Sequence, residues 1–252
     1  MIALITGATS GIGKATAFAF AEKGFKLILT GRRSDRLVEI SHAIRTKYNV
    51  ETHILEFDVR NRIETEQAIA SIPDNFKPVD ILVNNAGLAV GLSHIQDGDV
   101  DDWDRMVDTN IKGLLYVTKA VAPQMEENGK GHIINVGSIA GREVYENGGV
   151  YCATKHAVAA LTKALRIDLL NSCIKVSNVS PGAVETEFSI VRFKGDEHRA
   201  KKVYDGFQPL APKDIANVII YVATQPSHIC INDILVMPTA QASATSIKRV
   251  NN

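Results

Sequence analysis

Tyr151 and Lys155 stand four residues apart in a stretch, 150–170, whose composition predicts one long helix, so the two side chains share a face. That pairing can make a proton-transfer group. A phenol with a pKa of about 10 is a poor acid or base at neutral pH. An ammonium group beside it stabilises the phenolate and lowers that value. Ser138 lies just past a strand predicted at 132–136. Open α/β sheets bind ligands at this end of their strands, where a serine hydroxyl can hold a substrate oxygen. Phenol, ammonium and hydroxyl together suit proton transfer to and from the oxygen of a carbonyl or an alcohol.

A second group of residues suits a dinucleotide. The chain reads Thr6-Gly7-Ala8-Thr9-Ser10-Gly11-Ile12-Gly13, after an apolar run at 2–6 and before an Ala-rich amphipathic stretch at 12–23. Strand, glycine turn and helix in this order distinguish a dinucleotide loop from a chance glycine cluster, although the spacing is Gly-x-x-x-Gly-x-Gly rather than Gly-x-Gly-x-x-Gly. The glycines let the backbone approach a pyrophosphate, to which the helix N-terminus offers free N–H groups. The second strand ends Thr30-Gly31-Arg32-Arg33. No carboxylate stands there to bind a ribose 2′-hydroxyl, and two guanidinium groups do stand there, which suits a 2′-phosphate. The expected cofactor is therefore NADP(H), clamped by Arg32 and Arg33 with Ser10 as a further hydroxyl contact. Cations at a helix start oppose the macrodipole, so an external anion accounts for them better than solvent does.

The elements that must position these groups alternate along the whole chain. Strands are expected at 2–6, 26–30, 52–59, 79–83, 132–136, 175–179 and 230–236, and helices at 12–23, 34–48, 61–71, 99–110, 111–127, 150–170 and 213–224. Gly24 should stop the first helix, and Pro123 should bend the fifth. Strands separated by helices of this length imply βαβ units with right-handed crossovers. The expected fold is one Rossmann-like α/β domain over 1–252, a doubly wound seven-stranded parallel sheet with helices on both faces. Residues 181–211 have no clean period and read as a substrate lid; 237–252 read as a C-terminal tail.

Taken in register, these pieces resemble the short-chain dehydrogenase/reductase family over essentially the whole length. The matching residues are Thr6-Gly7-x-x-x-Gly11-x-Gly13, Asn84-Asn85-Ala86-Gly87, Asn110, Ser138, Tyr151-x-x-x-Lys155 and Pro181-Gly182-Ala183-Val184-Glu185-Thr186. The resemblance implies roles. Tyr151 exchanges the proton, Lys155 binds the nicotinamide ribose and tunes Tyr151, and Ser138 polarises the substrate oxygen. Asn110 sits in a helix kink and holds a water that relays protons to Lys155. The dinucleotide is held by Gly7, Ala8, Thr9, Ser10, Gly11, Ile12 and Gly13 and by Asn84, Asn85, Ala86 and Gly87. Asp58 and Val59 meet the adenine and Asn85 its ribose region. Pro181, Gly182, Ala183, Val184, Thr186 and Phe188 cover the nicotinamide, with Thr186 near the carboxamide. A narrower likeness links Val191-Arg192-Phe193-Lys194-Gly195-Asp196 and Met237-Pro238-Thr239-Ala240-Gln241-Ala242-Ser243 to the NADP-dependent 3-hydroxy acid dehydrogenases, which include serine 3-dehydrogenases. Some of those carry an extra glycine between Val184 and Glu185, which this chain lacks. The alternatives are a carbonyl or ketone reductase of different range and a non-catalytic NADP-binding sensor, which would have no reason to keep Asn110, Ser138, Tyr151 and Lys155 together.

Short 3-hydroxy acids carry a carboxylate, which calls for a cation near the nicotinamide. Arg192 in the lid is the first candidate, or else it pairs structurally with Asp196 or Glu197; Arg142 is the second candidate. The long helix at 150–170 is apolar around most of its girth, with Ala153, Ala157, Ala160 and Ala164 as small residues. The resemblance implies that it and 111–127 pack on a partner subunit, giving a homotetramer, with a dimer as the alternative.

Composition excludes several other classes. Lys plus Arg equals Asp plus Glu at 28 each, so no charge bias points to nucleic acid or an anionic membrane. No stretch approaches the ~20 apolar residues that span a bilayer. The three cysteines, Cys152, Cys173 and Cys230, form no pair with metal-site spacing and suggest a reducing compartment, and no leader is evident, so a cytoplasmic enzyme is expected. Asp97-x-Asp99-x-Asp101 imitates the start of a calcium loop, but Asp102 stands where a glycine is required and Asp108 where a glutamate is. These acids read instead as a helix start, and no metal is expected.

Overall fold

The structure, a computed structural model, describes residues 1–250; positions 251 and 252 of the expected tail lie outside the described residues. The strands are β1 (Ile2–Ile5), β2 (Lys26–Gly31), β3 (Thr52–Glu56), β4 (Ile81–Asn84), β5 (Gly131–Val136), β6 (Ile174–Pro181) and β7 (Asp233–Val236). Between them run α1 (Gly11–Glu22), α2 (Ser34–Tyr48), α3 (Arg62–Ala70), α4 (Val100–Val107), α5 (Leu114–Glu127), α6 (Gly149–Asp168), α7 (Phe188–Arg192), α8 (Glu197–Lys202) and α9 (Pro212–Ala223). All seven strands are parallel, in the order β3-β2-β1-β4-β5-β6-β7. The chain winds outward from β1 to β3, then returns to the other side of β1 and winds outward again to β7. Loops after β1 and β4 therefore part in opposite directions and leave a crevice between them.

The period of two along β1 separates the layers. Ala3 and Ile5 face a core with Leu27, Leu29, Val83 and Ile134, which α1, α2 and α9 cover with Phe20, Ile44 and Ile219. Ile2 and Leu4 face the other core with Ile28, Leu82 and Ile133, which α3, α5 and α6 cover with Ile69, Val121, Met125 and Leu165. Each fully buried side chain of this size contributes about 1.5–3 kcal/mol of transfer free energy. Phe20 also meets Phe25 edge-on at 4.9 Å. Gly24, at φ +77, ends α1 in a left-handed turn, as the sequence indicates.

Three local features add to the sequence reading. The two helices expected at 99–110 and 111–127 are joined by a π-helical turn at Asp108–Gly113. A Cβ at Gly113 would stand 2.7 Å from Val59 Cγ2, so glycine lets this turn lie against the β3 side of the crevice. The helix α5 runs on through Pro123 to Glu127. The stretch 181–211 holds α7 and α8, of five and six residues, too short for a helical period to register; a bridge between Val184 and Leu210 closes its base.

Candidate active site

A cleft of about 490 Å³ opens above the carboxyl ends of β1, β2, β4, β5 and β6. Every residue expected at the site borders it except Ala8, Gly13, Asn84, Asn110 and the second carboxylate candidate, Arg142. Its floor is stitched at the crevice. Thr6 Oγ1 accepts hydrogen bonds from the N–H groups of Asn85 (3.0 Å) and Ala86 (2.9 Å) and donates to Val83 O (3.3 Å). Asn85 Nδ2 donates back to Thr6 O (2.9 Å) and Gly7 O (3.2 Å). Gly7 and Gly11 have φ of +65 and +51, the region that favours glycine. Gly13 lies behind the loop: a Cβ there would sit 2.3 Å from Gly7 O and 2.5 Å from Asn85 Nδ2. Ala8 is wholly buried in the α1 core, and its N–H donates to Thr30 O. Both support the loop from below rather than border the cleft.

The loop fits a pyrophosphate and the adjoining ribose. Ser10 is the N-cap residue of α1, yet its hydroxyl makes no cap bond. It accepts instead from Arg33 Nη2 (2.9 Å), so the first-turn N–H groups of α1 have no partner in the cap side chain and suit an anion. Arg33 also reaches Thr9 Oγ1 through Nε (3.2 Å) and Nη2 (2.8 Å), which fixes its guanidinium over the glycine loop. Arg32 faces Asp58 at 3.5 Å, and Asp58 is held by Arg60. Two further residues enter this corner that the sequence did not mark. Glu187, just before α7, accepts from Arg33 Nη1 (2.9 Å) and Arg36 Nη1 (2.6 Å).

At the other end of the cleft Ser138, Tyr151 and Lys155 converge. Ser138 begins a tight turn after β5, where its hydroxyl accepts from Ala140 N (3.1 Å). Gly141 brings this turn onto α6, since a Cβ there would meet Lys155 O at 2.6 Å. Tyr151 and Lys155 are only 8% and 7% exposed, which explains their electrostatics. Burial pushes the Tyr151 phenol above its ordinary value, while the Arg192 guanidinium and the Ser138 hydroxyl act in the opposite direction. Burial also lowers Lys155 to about 8. Lys155 Nζ donates to Val136 O (2.9 Å).

Arg192 of α7 places a cation beside the Tyr151 ring. The Arg192 guanidinium carbon lies 4.9 Å from the Tyr151 ring centroid and 5.1 Å from that of Phe188. Its Nη2 donates to Tyr145 Oη at 2.8 Å, and its buried Nε has no hydrogen-bond partner. The ion pairs weighed from sequence with Asp196 or Glu197 do not form; Asp196 caps α8. Lys194 pairs with Asp99 and Asp102, and Asp99 caps α4, in line with reading those acids as a helix start. Arg142, the second carboxylate candidate, bonds Asp233 on β7 and does not border the cleft.

Two other expected residues turn away from the cleft. Asn84 Nδ2 donates to Thr118 Oγ1 (3.0 Å) and Asn135 Oδ1 (2.9 Å) inside the sheet. Asn110 lies in the π-helical turn, where a kink was expected. Its side chain is fully engaged: Oδ1 accepts from Leu88 N (2.9 Å), and Nδ2 donates to Leu88 O (2.8 Å) and Thr154 Oγ1 (3.0 Å). Thr154 Oγ1 in turn donates to Tyr151 O (2.8 Å), so Asn110 braces the helix that carries the catalytic pair.

Comparisons with known proteins agree with this geometry. The family model described as short chain dehydrogenase matches residues 1–196. The NADP-dependent 3-hydroxy acid dehydrogenase YdfG of Salmonella typhi is 46% identical over 245 residues, 97% of each chain. The NADP-dependent 3-hydroxy acid dehydrogenase of Schizosaccharomyces pombe is 45% identical over 247 residues, 98% of this chain and 95% of that protein. Among solved structures, the closed form of serine dehydrogenase complexed with NADP+ has a TM-score of 0.92 and 43% identity, covering all of both chains.

The crowding at Gly13 has a measurable consequence. Gly13→Ala forces Gly7 and Asn85 apart, and overpacking of this kind costs about 1–3 kcal/mol. Urea unfolding should show that loss, and a dinucleotide titration should show weakened binding. Unchanged stability and binding would remove Gly13 from the support of the loop.

Proposed function

The chain belongs to the short-chain dehydrogenase family, and on that premise we propose that it acts on short 3-hydroxy acids such as serine, or on the matching semialdehydes. It is an NADP-dependent oxidoreductase that interconverts an alcohol and a carbonyl. One observation carries the reading: Ser138, Tyr151 and Lys155 share one cleft with a glycine loop and an arginine held over it. That convergence serves chemistry and favours an enzyme over a sensor.

Residues 6–13 and the first turn of α1 hold the pyrophosphate, Arg33 takes the 2′-phosphate, and Pro181, Gly182, Ala183 and Val184 line the nicotinamide side. Bound NADP(H) supplies or accepts the hydride. Ser138 donates a hydrogen bond to the substrate oxygen and orients it toward Tyr151. Tyr151 gives its proton to that oxygen in reduction and takes it back in oxidation. Its raised pKa keeps the phenol protonated at neutral pH, the form that reduction needs. Lys155, fixed by Val136 O, brings an ammonium toward the ribose and the proton path. We take residues 1–252 as one catalytic domain in which 181–211 act as the lid over the substrate and 237–252 form the tail. Tyr151→Phe removes the acid and keeps the ring, so turnover should fall by about 10²–10⁴-fold with NADPH affinity little changed. Near-normal turnover in the purified variant would end the assignment.

The acid preference rests on Arg192. Its guanidinium lies against the Tyr151 ring with one buried N–H donor unpaired, and a carboxylate beside the reacting carbon would satisfy it. Arg192→Ala should then lower kcat/KM for 3-hydroxy acids at least about tenfold more than for uncharged alcohols of similar size, since a hydrogen bond to a charged group contributes about 1.5–3 kcal/mol. Equal losses on both substrates would mean that Arg192 only organises the lid.

On α6, Ala153, Ala160 and Ala164 are exposed, with Ile167 at 74% beyond them; Leu115 of α5 is also exposed. An apolar helix face without a cover supports assembly through α5 and α6 into a homotetramer. Light scattering at micromolar concentration should give four times the chain mass, and a monomeric mass would count against it. No helix among the described residues is long and apolar enough to cross a membrane. The cysteines are free thiols, which supports a cytoplasmic location.

A further inference from the structure

Glu187 stands between the lid and the corner where the adenosine ribose is read. It follows Thr186, whose methyl group lies where a Cβ on Gly11 would meet it at 3.2 Å, so this part of the lid rests directly over the glycine loop. Each of its carboxylate oxygens takes one arginine, Oε2 from Arg33 and Oε1 from Arg36. Arg33 gives Nε and Nη2 to the Thr9 and Ser10 hydroxyls. The side chains of Arg33 and Glu187 are 39% and 43% exposed. An ion pair so open to water is weak, and a second anion can contest it.

We propose that Glu187 is a specificity-determining residue for the dinucleotide: it competes with the ribose 2′-phosphate for Arg33 and thereby tempers the preference for NADP(H) over NAD(H). This rests on reading Arg33 as the partner of the 2′-phosphate. A phosphate monoester carries close to two negative charges near neutral pH. Glu187 remains ionised beside it: burial would raise its pKa, but the hydrogen bonds from Arg33 and Arg36 hold it below the usual carboxylate range. Two anions on one guanidinium repel each other. A dinucleotide without the 2′-phosphate brings no such charge to this corner and leaves the Arg33–Glu187 pair intact. Arg36 keeps its hold on Glu187 in either case, so the lid stays tethered when the phosphate takes Arg33. A residue that only tied down the lid would have the opposite signature, because losing it would weaken both dinucleotides alike.

The test is a fluorescence titration of NADPH and NADH against Glu187→Gln at low ionic strength, with Arg33→Ala in parallel. Glutamine keeps the shape and removes the charge. NADPH should bind about two- to fivefold more tightly than in the unsubstituted enzyme, NADH should be unchanged, and the gain should fade at high salt. Equal weakening of both dinucleotides, or no change in either, would overturn the proposal. Arg33→Ala separates this from the reading beneath it. If that variant keeps the full NADPH preference, the 2′-phosphate assignment falls and the proposal falls with it. If Arg33→Ala loses the preference while Glu187→Gln does not raise it, only the role of Glu187 is overturned.

Discussion

Thr6 joins the two halves of the sheet at the one place where their strand order reverses. Its single hydroxyl donates to Val83 O and accepts from the N–H groups of Asn85 and Ala86, so the loops after β1 and β4 are held to one atom. Asn85 completes the join by donating to Thr6 O and Gly7 O. Everything above the crevice inherits its position from this junction. The glycine loop lies on it, α1 begins from the loop, and the Arg33 guanidinium is aimed by the loop's Thr9 and Ser10 hydroxyls. On the far side, Gly87 runs so close to Lys155 Nζ and Asn110 Oδ1 that a side chain there would meet them at 3.5 and 3.3 Å. The catalytic helix and the π-helical turn are thus referenced to the same few residues.

Tyr151 and Lys155 show what burial does to a pair of titratable groups. A buried phenol resists ionising and a buried ammonium resists staying charged, so burial moves the two pKa values apart and favours the neutral form of each. Tyr151 rises and Lys155 comes down to about 8. The Arg192 guanidinium works against the rise at Tyr151. It belongs to α7, so the position of that helix and phenol acidity are physically linked: moving α7 moves a charge that lies 4.9 Å from the ring.

The sheet and its helices were largely legible because buried parallel strands are short apolar runs and surface helices carry a period. The convergence of Ser138, Tyr151 and Lys155 on one cleft was legible because Tyr151 and Lys155 lie on one helix and Ser138 at a strand end. What escaped was set by contacts between distant segments. Glu187 meets Arg33 across 154 residues, and nothing near either one marks the pair. Asn84 sits within a recognisable Asn84-Asn85-Ala86-Gly87 run, but it is the last residue of β4, and its alternation there sends it into the sheet while Asn85 turns to the loop. Arg142 follows Ser138 closely in sequence, yet the turn at 139–141 carries it outward to Asp233. Tyr145, which holds Arg192, lies in a stretch with no period. The π-helical turn has no breaking residue to announce it, and packing against Val59 accommodates it instead.

The segment after β7 bears on when the site can exist at all. Gln241 Oε1 accepts from Ala183 N at 2.8 Å, and Ala244 N donates to Glu143 Oε2 at 2.7 Å. One of these bonds fixes the cleft wall at 181–184, and the other fixes the loop that follows Ser138. During synthesis a chain emerges from its N-terminus at about 5–20 residues per second. Thr6, the glycine loop and β4 are complete when little more than the first 90 residues have been made. The reaction end of the cleft must wait for residues 241–244.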